Sequence, residues 1–238
     1  MAKKETQFDQ FWEASSLDRF NEQQFSRLLG SYDSDDKQLF LEYPFASKPL
    51  PLAKSKVNKI AKSRKSDRSF SGKALTSKEL GVLLSSFYAH NGLEHRGYPS
   101  AGATYTTEIF CVTFNTEGYS GKILYYDAEN NGVVIVADTA PSWQRASESL
   151  NMSIEGEPNV LIVFVSFAER ATEKYGERGG RFALIEAGAA LQQLSLQIAE
   201  SPKLKGVIVG GMLDTVWKHI LGLDSTDAQV VLGYLVGK

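Results

Sequence analysis

A chain of 238 residues with 42% hydrophobic content can bury a sizeable core, which excludes disorder as its default state. Lysine and arginine total 26 against 28 aspartate and glutamate, a formal charge of −2, so no basic excess points to nucleic acid or an anionic membrane surface. No apolar run approaches the ~20 residues of a membrane span, the start MAKKETQFDQ has no apolar signal region, and the single Cys111 rules out an internal disulfide; a soluble cytoplasmic protein is expected.

In chain order, Phe8, Trp12, Phe20, Phe25, Leu28 and Leu29 recur at roughly helical spacing and predict one or two amphipathic helices. Pro44, Pro49 and Pro51 then push the Tyr43 to Leu52 stretch toward extended geometry. Such an arm can wrap a partner subunit, grip a peptide substrate or simply connect. Around Ser63 the sequence SRKSDRSF gathers Arg64, Lys65, Ser66 and Arg68, a grouping of cations and hydroxyls suited to a phosphate. Thr76 with Glu79 fits a capping box, and Leu80, Leu83, Leu84 and Phe87 give the apolar face of the helix behind it.

The stretch RGYPSAGATYTTEIFCVTF follows. Pro99, Ser100, Ala101, Gly102 and Ala103 are small enough for a flat ring to approach the backbone, and β-formers from Ile109 start a strand in which Cys111 reads as a buried small hydrophobe. KILYYDAENNGVVIV reads as two strands joined by a turn at Asn130, Asn131 and Gly132. A short helix fits Ser142 to Leu150, and the continuous apolar run NVLIVFVSF predicts a strand covered on both faces.

From Glu169 the chain carries Arg170, Lys174, Arg178 and Arg181 around Tyr175, interrupted by Gly176, Gly179 and Gly180, and this reads as a charged, sharply turned loop. From Arg181 to Glu200 apolar residues fall on most faces, which predicts a buried helix. LKGVIVGGML forms a further buried strand ending at Gly210 and Gly211, whose amides can face an anion. Asp214 is placed to cap a short helix that Gly222 stops, and QVVLGYLVGK ends the chain as an apolar strand with Lys238 behind it.

No GxGxxG turn follows a strand, His90, His95 and His219 lack ligand-spaced companions for a metal, and no nucleophile-elbow motif is present. Composition and spacing alone stop at a mixed α/β or α+β domain. Three patches go further. KYGERGGRFALIEAG resembles the signature of the SagB-type dehydrogenases, the azoline-oxidising branch of the FMN-dependent nitroreductase superfamily, while the RKS run and PSAGATY resemble flavin-site motifs of that family.

The resemblance covers roughly residues 63 to 237 and implies an α+β nitroreductase-like fold, with a mainly antiparallel central sheet flanked by helices, in an interlocked homodimer with two FMN sites. It divides the chain into an arm over residues 1–60 and an FMN-binding domain over 61–238. It implies that Arg64 and Ser66, with Lys65, contact the ribityl phosphate, that the loop Pro99, Ser100, Ala101, Gly102 borders the flavin ring with Tyr105 close by, and that Gln192, Gly210, Gly211 and Lys238 complete the cofactor site. Lys174 and Tyr175 are the implied catalytic pair. The implied reaction oxidises a thiazoline or oxazoline in a ribosomally made peptide to the azole, with a cyclodehydratase as partner and oxygen as acceptor. A small-molecule NAD(P)H-dependent nitroreductase or flavin reductase, and a non-catalytic scaffold of a peptide-modifying complex, are the competing readings. The chain departs from the pattern at Thr106, Ala189 and Gln193, where the family often has proline, histidine and asparagine.

Overall fold

The computed structural model describes residues 6–31, 58–89 and 95–238, so the expected Tyr43 to Leu52 arm lies outside the described residues. At its centre six antiparallel strands, β1 Thr107–Thr113, β2 Ile123–Asp127, β3 Gly132–Ala137, β4 Val160–Ser166, β5 Lys205–Val209 and β6 Gln229–Gly237, lie in the order β3-β2-β1-β4-β6-β5. Successive side chains of a strand point to opposite faces. On β4, Val160, Ile162 and Phe164 enter one core while Leu161, Val163 and Val165 enter the other. Helices cover both faces, which is why NVLIVFVSF needs no polar alternation.

The helices are α1 Gln7–Ser15, α2 Glu22–Ser31, α3 Lys59–Ser63, α4 Ser77–Leu84, α5 Trp143–Ser147, α6 Glu169–Tyr175, α7 Arg178–Glu200 and α8 Asp214–Ile220. Leu80, Leu83 and Leu84 of α4 and Ala190, Leu191 and Leu194 of α7 pack on the first face. Ala146 of α5 and Trp217 of α8 pack on the second. This is the α+β arrangement the resemblance implies. The Thr76 capping box forms, with the Glu79 carboxylate accepting from the Thr76 amide at 2.8 Å and Thr76 Oγ1 accepting from the Glu79 amide at 3.2 Å. In the β2–β3 turn Asn131 takes the positive φ of 48°, so Gly132 starts the strand instead. Among the described residues no helix is long and apolar enough to cross a membrane.

Three expectations need correction. The charged stretch after Glu169 is largely helical: α6 has an acidic residue in its first turn and Lys174 in its last, which suits the helix dipole, and only Gly176, at φ 58°, makes the sharp turn. Gly179 and Gly180 are helical and serve close packing, since a Cβ would lie 2.4 Å from the Ala171 backbone in one case and 2.3 Å from the Phe8 ring in the other. Second, α7 is not buried all round; Ile185 is 66% exposed and Gly188 and Gln192 share its open side. Third, Asp214 does not cap α8, whose N-cap is Leu213. Its carboxylate instead accepts from the Leu17 amide at 2.8 Å, while its own amide donates to the Leu17 carbonyl at 2.8 Å, bracketing the N-terminal helices onto the sheet domain.

Candidate functional site

The C-terminal turn of α6 delivers Lys174 and Tyr175 to the small-residue loop. The Lys174 amine donates to the Gly102 carbonyl at 3.0 Å. A Cβ on Gly102 would stand 2.1 Å from the Tyr175 hydroxyl and 2.5 Å from Lys174 Nζ, and Gly102 sits at φ 57°, so both space and backbone call for glycine. The loop is a single 3-10 turn over Ala101–Ala103. Tyr175 meets Phe182 edge-on with centroids 5.1 Å apart, and the Arg178 guanidinium lies 5.8 Å from the same Phe182 ring.

Beneath this contact runs a buried polar network. Glu186, 2% exposed on α7, accepts from Ser100 Oγ at 2.5 Å and from the Thr107 amide at 2.8 Å. Ser100 Oγ in turn accepts from the Tyr105 amide at 2.9 Å. Glu108 accepts from Arg170 at 2.6 Å and from the Tyr125 hydroxyl at 3.0 Å, and the same Arg170 nitrogen reaches the Tyr105 carbonyl at 2.7 Å. Arg96 donates to the Tyr98 hydroxyl at 3.0 Å and stacks 4.4 Å over the Tyr105 ring. Burial works against the Arg96 charge, but Tyr98, Glu108 and Glu186 outweigh it and hold the guanidinium above its usual pKa. Burial pushes the phenols of Tyr98 and Tyr125 up to about 12.

Sequence reasoning passed over Glu186, Glu108, Arg96 and Arg170 as parts of one unit. A signal existed: Glu186 falls among Ala183, Ala187 and Ala190 on the buried face of α7, where a carboxylate is costly unless hydrogen-bonded.

A second cluster lies toward the other end of α7. Ser63 Oγ donates to the Ala199 carbonyl at 3.2 Å and fixes α3 there, with Arg64 immediately after it. The Tyr234 phenol, raised in pKa by burial, feels the opposing pull of Ser195 and Arg64. Lys65 pairs with Asp67 at 3.1 Å, and Ser66 is exposed. A cavity of about 210 Å³ opens beside them, lined by Lys65, Asp67, Ser195 and Lys205. Gln192 stands exposed between the two clusters, whereas Gln193 packs on Gly97.

The remaining candidates sit apart. Gly210 lines a cavity of about 410 Å³ with Trp12, Phe25 and Leu184, and Gly211 packs on Asn151 and Phe25. Lys238 pairs with Glu79 at 2.8 Å. Burial opposes the Glu79 charge, but Lys238 and Thr76 hold its carboxyl down at about 2.

The model of the nitroreductase family matches residues 61–238. The nitroreductase-type protein MJ1384 of Methanocaldococcus jannaschii is 33% identical over 170 residues, covering 70% of this chain and 84% of its own length. The microcin B17-processing protein McbC of Escherichia coli is 30% identical over 149 residues, which is 60% of this chain and 54% of McbC. Among solved structures, a chain of the E. coli microcin synthetase McbBCD complex with truncated pro-MccB17 superposes with a TM-score of 0.70 at 24% identity, over 86% of this chain and 79% of that one. A nitroreductase-type protein of Ralstonia eutropha gives 0.61 at 20% identity, over 80% and 87% of the two chains.

Proposed function

The chain belongs to the nitroreductase family of flavin-dependent oxidoreductases, and from that premise we propose that it oxidises thiazoline or oxazoline rings of a ribosomally made peptide to thiazole or oxazole, using FMN. The observation that carries this reading is the convergence of Lys174 and Tyr175 on Gly102. The similarity to McbC and to a chain of a peptide-bound microcin synthetase supports it.

The residues present fit FMN. Arg64, Lys65 and Ser66 offer cations and a hydroxyl to a phosphate, the Pro99-to-Ala103 loop lets a flat ring approach, and Gln192 presents an exposed amide. When bound, the flavin supplies the acceptor for a hydride. Azoline oxidation removes a hydride from one ring carbon and a proton from another, and the chain must take the proton. Lys174 and Tyr175, which meet the loop at Gly102, are the groups assigned that step, whereas Glu186 meets it at Ser100 with both oxygens already engaged. Arg170 is engaged by Glu108 and the Tyr105 carbonyl, so of the neighbouring cations Arg178 and Arg181 are the two without a carboxylate among the described residues. The proposed partners are an azoline-bearing peptide, the cyclodehydratase that makes it, and a second copy of the chain, with oxygen taking the electrons onward.

Lys174→Ala and Tyr175→Ala provide the test. Each is expected to keep the yellow flavin and to lose azole formation, read by mass spectrometry as failure to shed two hydrogens per ring. Retained turnover removes that residue from the proton step. A small-molecule reductase is the second reading, favoured by the relative from M. jannaschii that this chain spans over 84% of its length. Anaerobic bleaching of the flavin by NADPH selects that reading, and a preparation that takes up no FMN selects the scaffold.

A further inference from the structure

Lys174 and Tyr175 reach the loop from one element and Gly102 presents it from another, so the gap between them depends on what fixes each side. On the α6 side the anchor is Arg170, one helical turn before Lys174. Its guanidinium is tied to Glu108 at 2.6 Å and to the Tyr105 carbonyl at 2.7 Å. On the loop side the anchor is Ser100, two residues before Gly102, tied to Glu186 at 2.5 Å. Glu186 also takes the amide of Thr107, the residue before Glu108 on β1, so one carboxylate holds and the other projects from adjacent positions of one central strand. Arg96 stands by both, since each of the two acids raises its pKa.

We propose that Glu186 and Glu108 are positioning residues, which set the separation of the Gly102 loop from Lys174 and Tyr175 by holding Ser100 and Arg170 against the same central strand. The inference builds on the assignment of Lys174 and Tyr175 to the reaction. A fold needs neither carboxylate for packing alone. An apolar residue fills such a site at lower desolvation cost, and two buried acids are tolerable only because every oxygen has a donor. What they add is geometry: each bridges an active-site element to β1, an interior strand of the sheet. Displacement of a reacting group by about 1 Å costs on the order of a hundredfold in rate.

Glu186→Gln separates positioning from packing, because the amide keeps the shape and still accepts from the Thr107 amide. Its NH₂ group, however, presents a donor where the carboxylate accepted from Ser100 Oγ, so the charge-assisted bond from that hydroxyl is lost. The holoenzyme variant is expected to bind FMN, to keep its melting temperature, and to lose at least tenfold in kcat with KM nearly unchanged. Ser100→Ala, on a half-exposed loop residue, is expected to show the same split, and the double variant to be no worse than either single one. Glu108→Gln is expected to act from the α6 side in the same way. Hydrogen exchange at the Tyr105 amide needs no substrate and is expected to quicken in Glu186→Gln. Unchanged exchange there with unchanged kcat overturns the proposal, as does additivity of the Ser100 and Glu186 changes. Should the azoline substrate be wrong, exchange at Tyr105 still decides whether the acid holds the loop.

Discussion

Gly102 is the residue at which the loop, Lys174 and Tyr175 meet. Its carbonyl receives Lys174, its missing side chain makes room for the Tyr175 hydroxyl, and its φ of 57° lies where residues with a Cβ are strained. Gly102→Ala therefore incurs two separable effects. The left-handed backbone costs about 1–2 kcal/mol, or roughly 2–8 °C in melting temperature for a chain of this size. The methyl group additionally displaces Lys174 and Tyr175, the proposed catalytic pair, for which at least a tenfold fall in kcat is expected. Gly118 is a matched control, because it has φ 76° and open space around its α-carbon. Gly118→Ala is expected to lower the melting temperature alike and leave turnover alone. Equal turnover in both variants would mean that the close approach at Gly102 has no part in the chemistry.

At the scale of elements, the segments that could be read from the chain were those in which local pattern and packing agree. β4 is an apolar run because both sheet faces are covered, and α4 begins where Thr76 and Glu79 cap it. α6 was missed because three glycines in five residues suggest a loop, whereas two of them are there to let Ala171 and Phe8 come close, a tertiary reason with no local signature. Glu186 was missed for the same reason, since its donors come from 79 and 86 residues earlier in the chain. The bracket between Asp214 and Leu17 is another such long-range tie, and it titrates. Burial pushes the Asp214 carboxyl up from 3.8 to about 6, against the opposing bonds from Leu17 and Ser16. Between those values the folded chain holds a proton that the unfolded chain has lost. Its contribution to stability is thus full below the unfolded value and falls away as pH rises through about 6. Protection of the Leu17 amide, corrected for intrinsic exchange, is expected to be higher near pH ~5 than near ~7.5. Asp214→Asn is expected to flatten that difference. Equal protection at both pH values in the parent protein would place the control of docking elsewhere, for instance in the packing of Phe8 on Gly180.

For the whole molecule the proposed FMN site raises the question of how two clusters at different ends of one helix would serve one cofactor. Glu186 holds the Gly102 loop, and Ala199 holds α3 and Arg64. The thirteen-residue step from Glu186 to Ala199 amounts to about 20 Å of helix. The face of α7 that runs between them is open and carries Arg181, Ile185, Gly188 and Gln192 at helical spacing. A twofold axis through that stripe would lay two α7 helices antiparallel, bringing the loop end of one beside the phosphate-suited end of the other, twice. Each flavin would then be held by two chains. Gly188 leaves room for close approach, and Ile185 would exchange its 66% exposure for burial. Ile185→Arg tests this without disturbing the monomer's core, as the side chain is already exposed. If the proposed dimer uses this stripe, sedimentation of the variant shifts from dimer to monomer, with flavin lost in the same step because neither half-site would then be complete alone. A variant that stays dimeric and yellow excludes this stripe as the interface, and a parent protein that is yellow as a monomer requires both clusters to reach one flavin within a single chain.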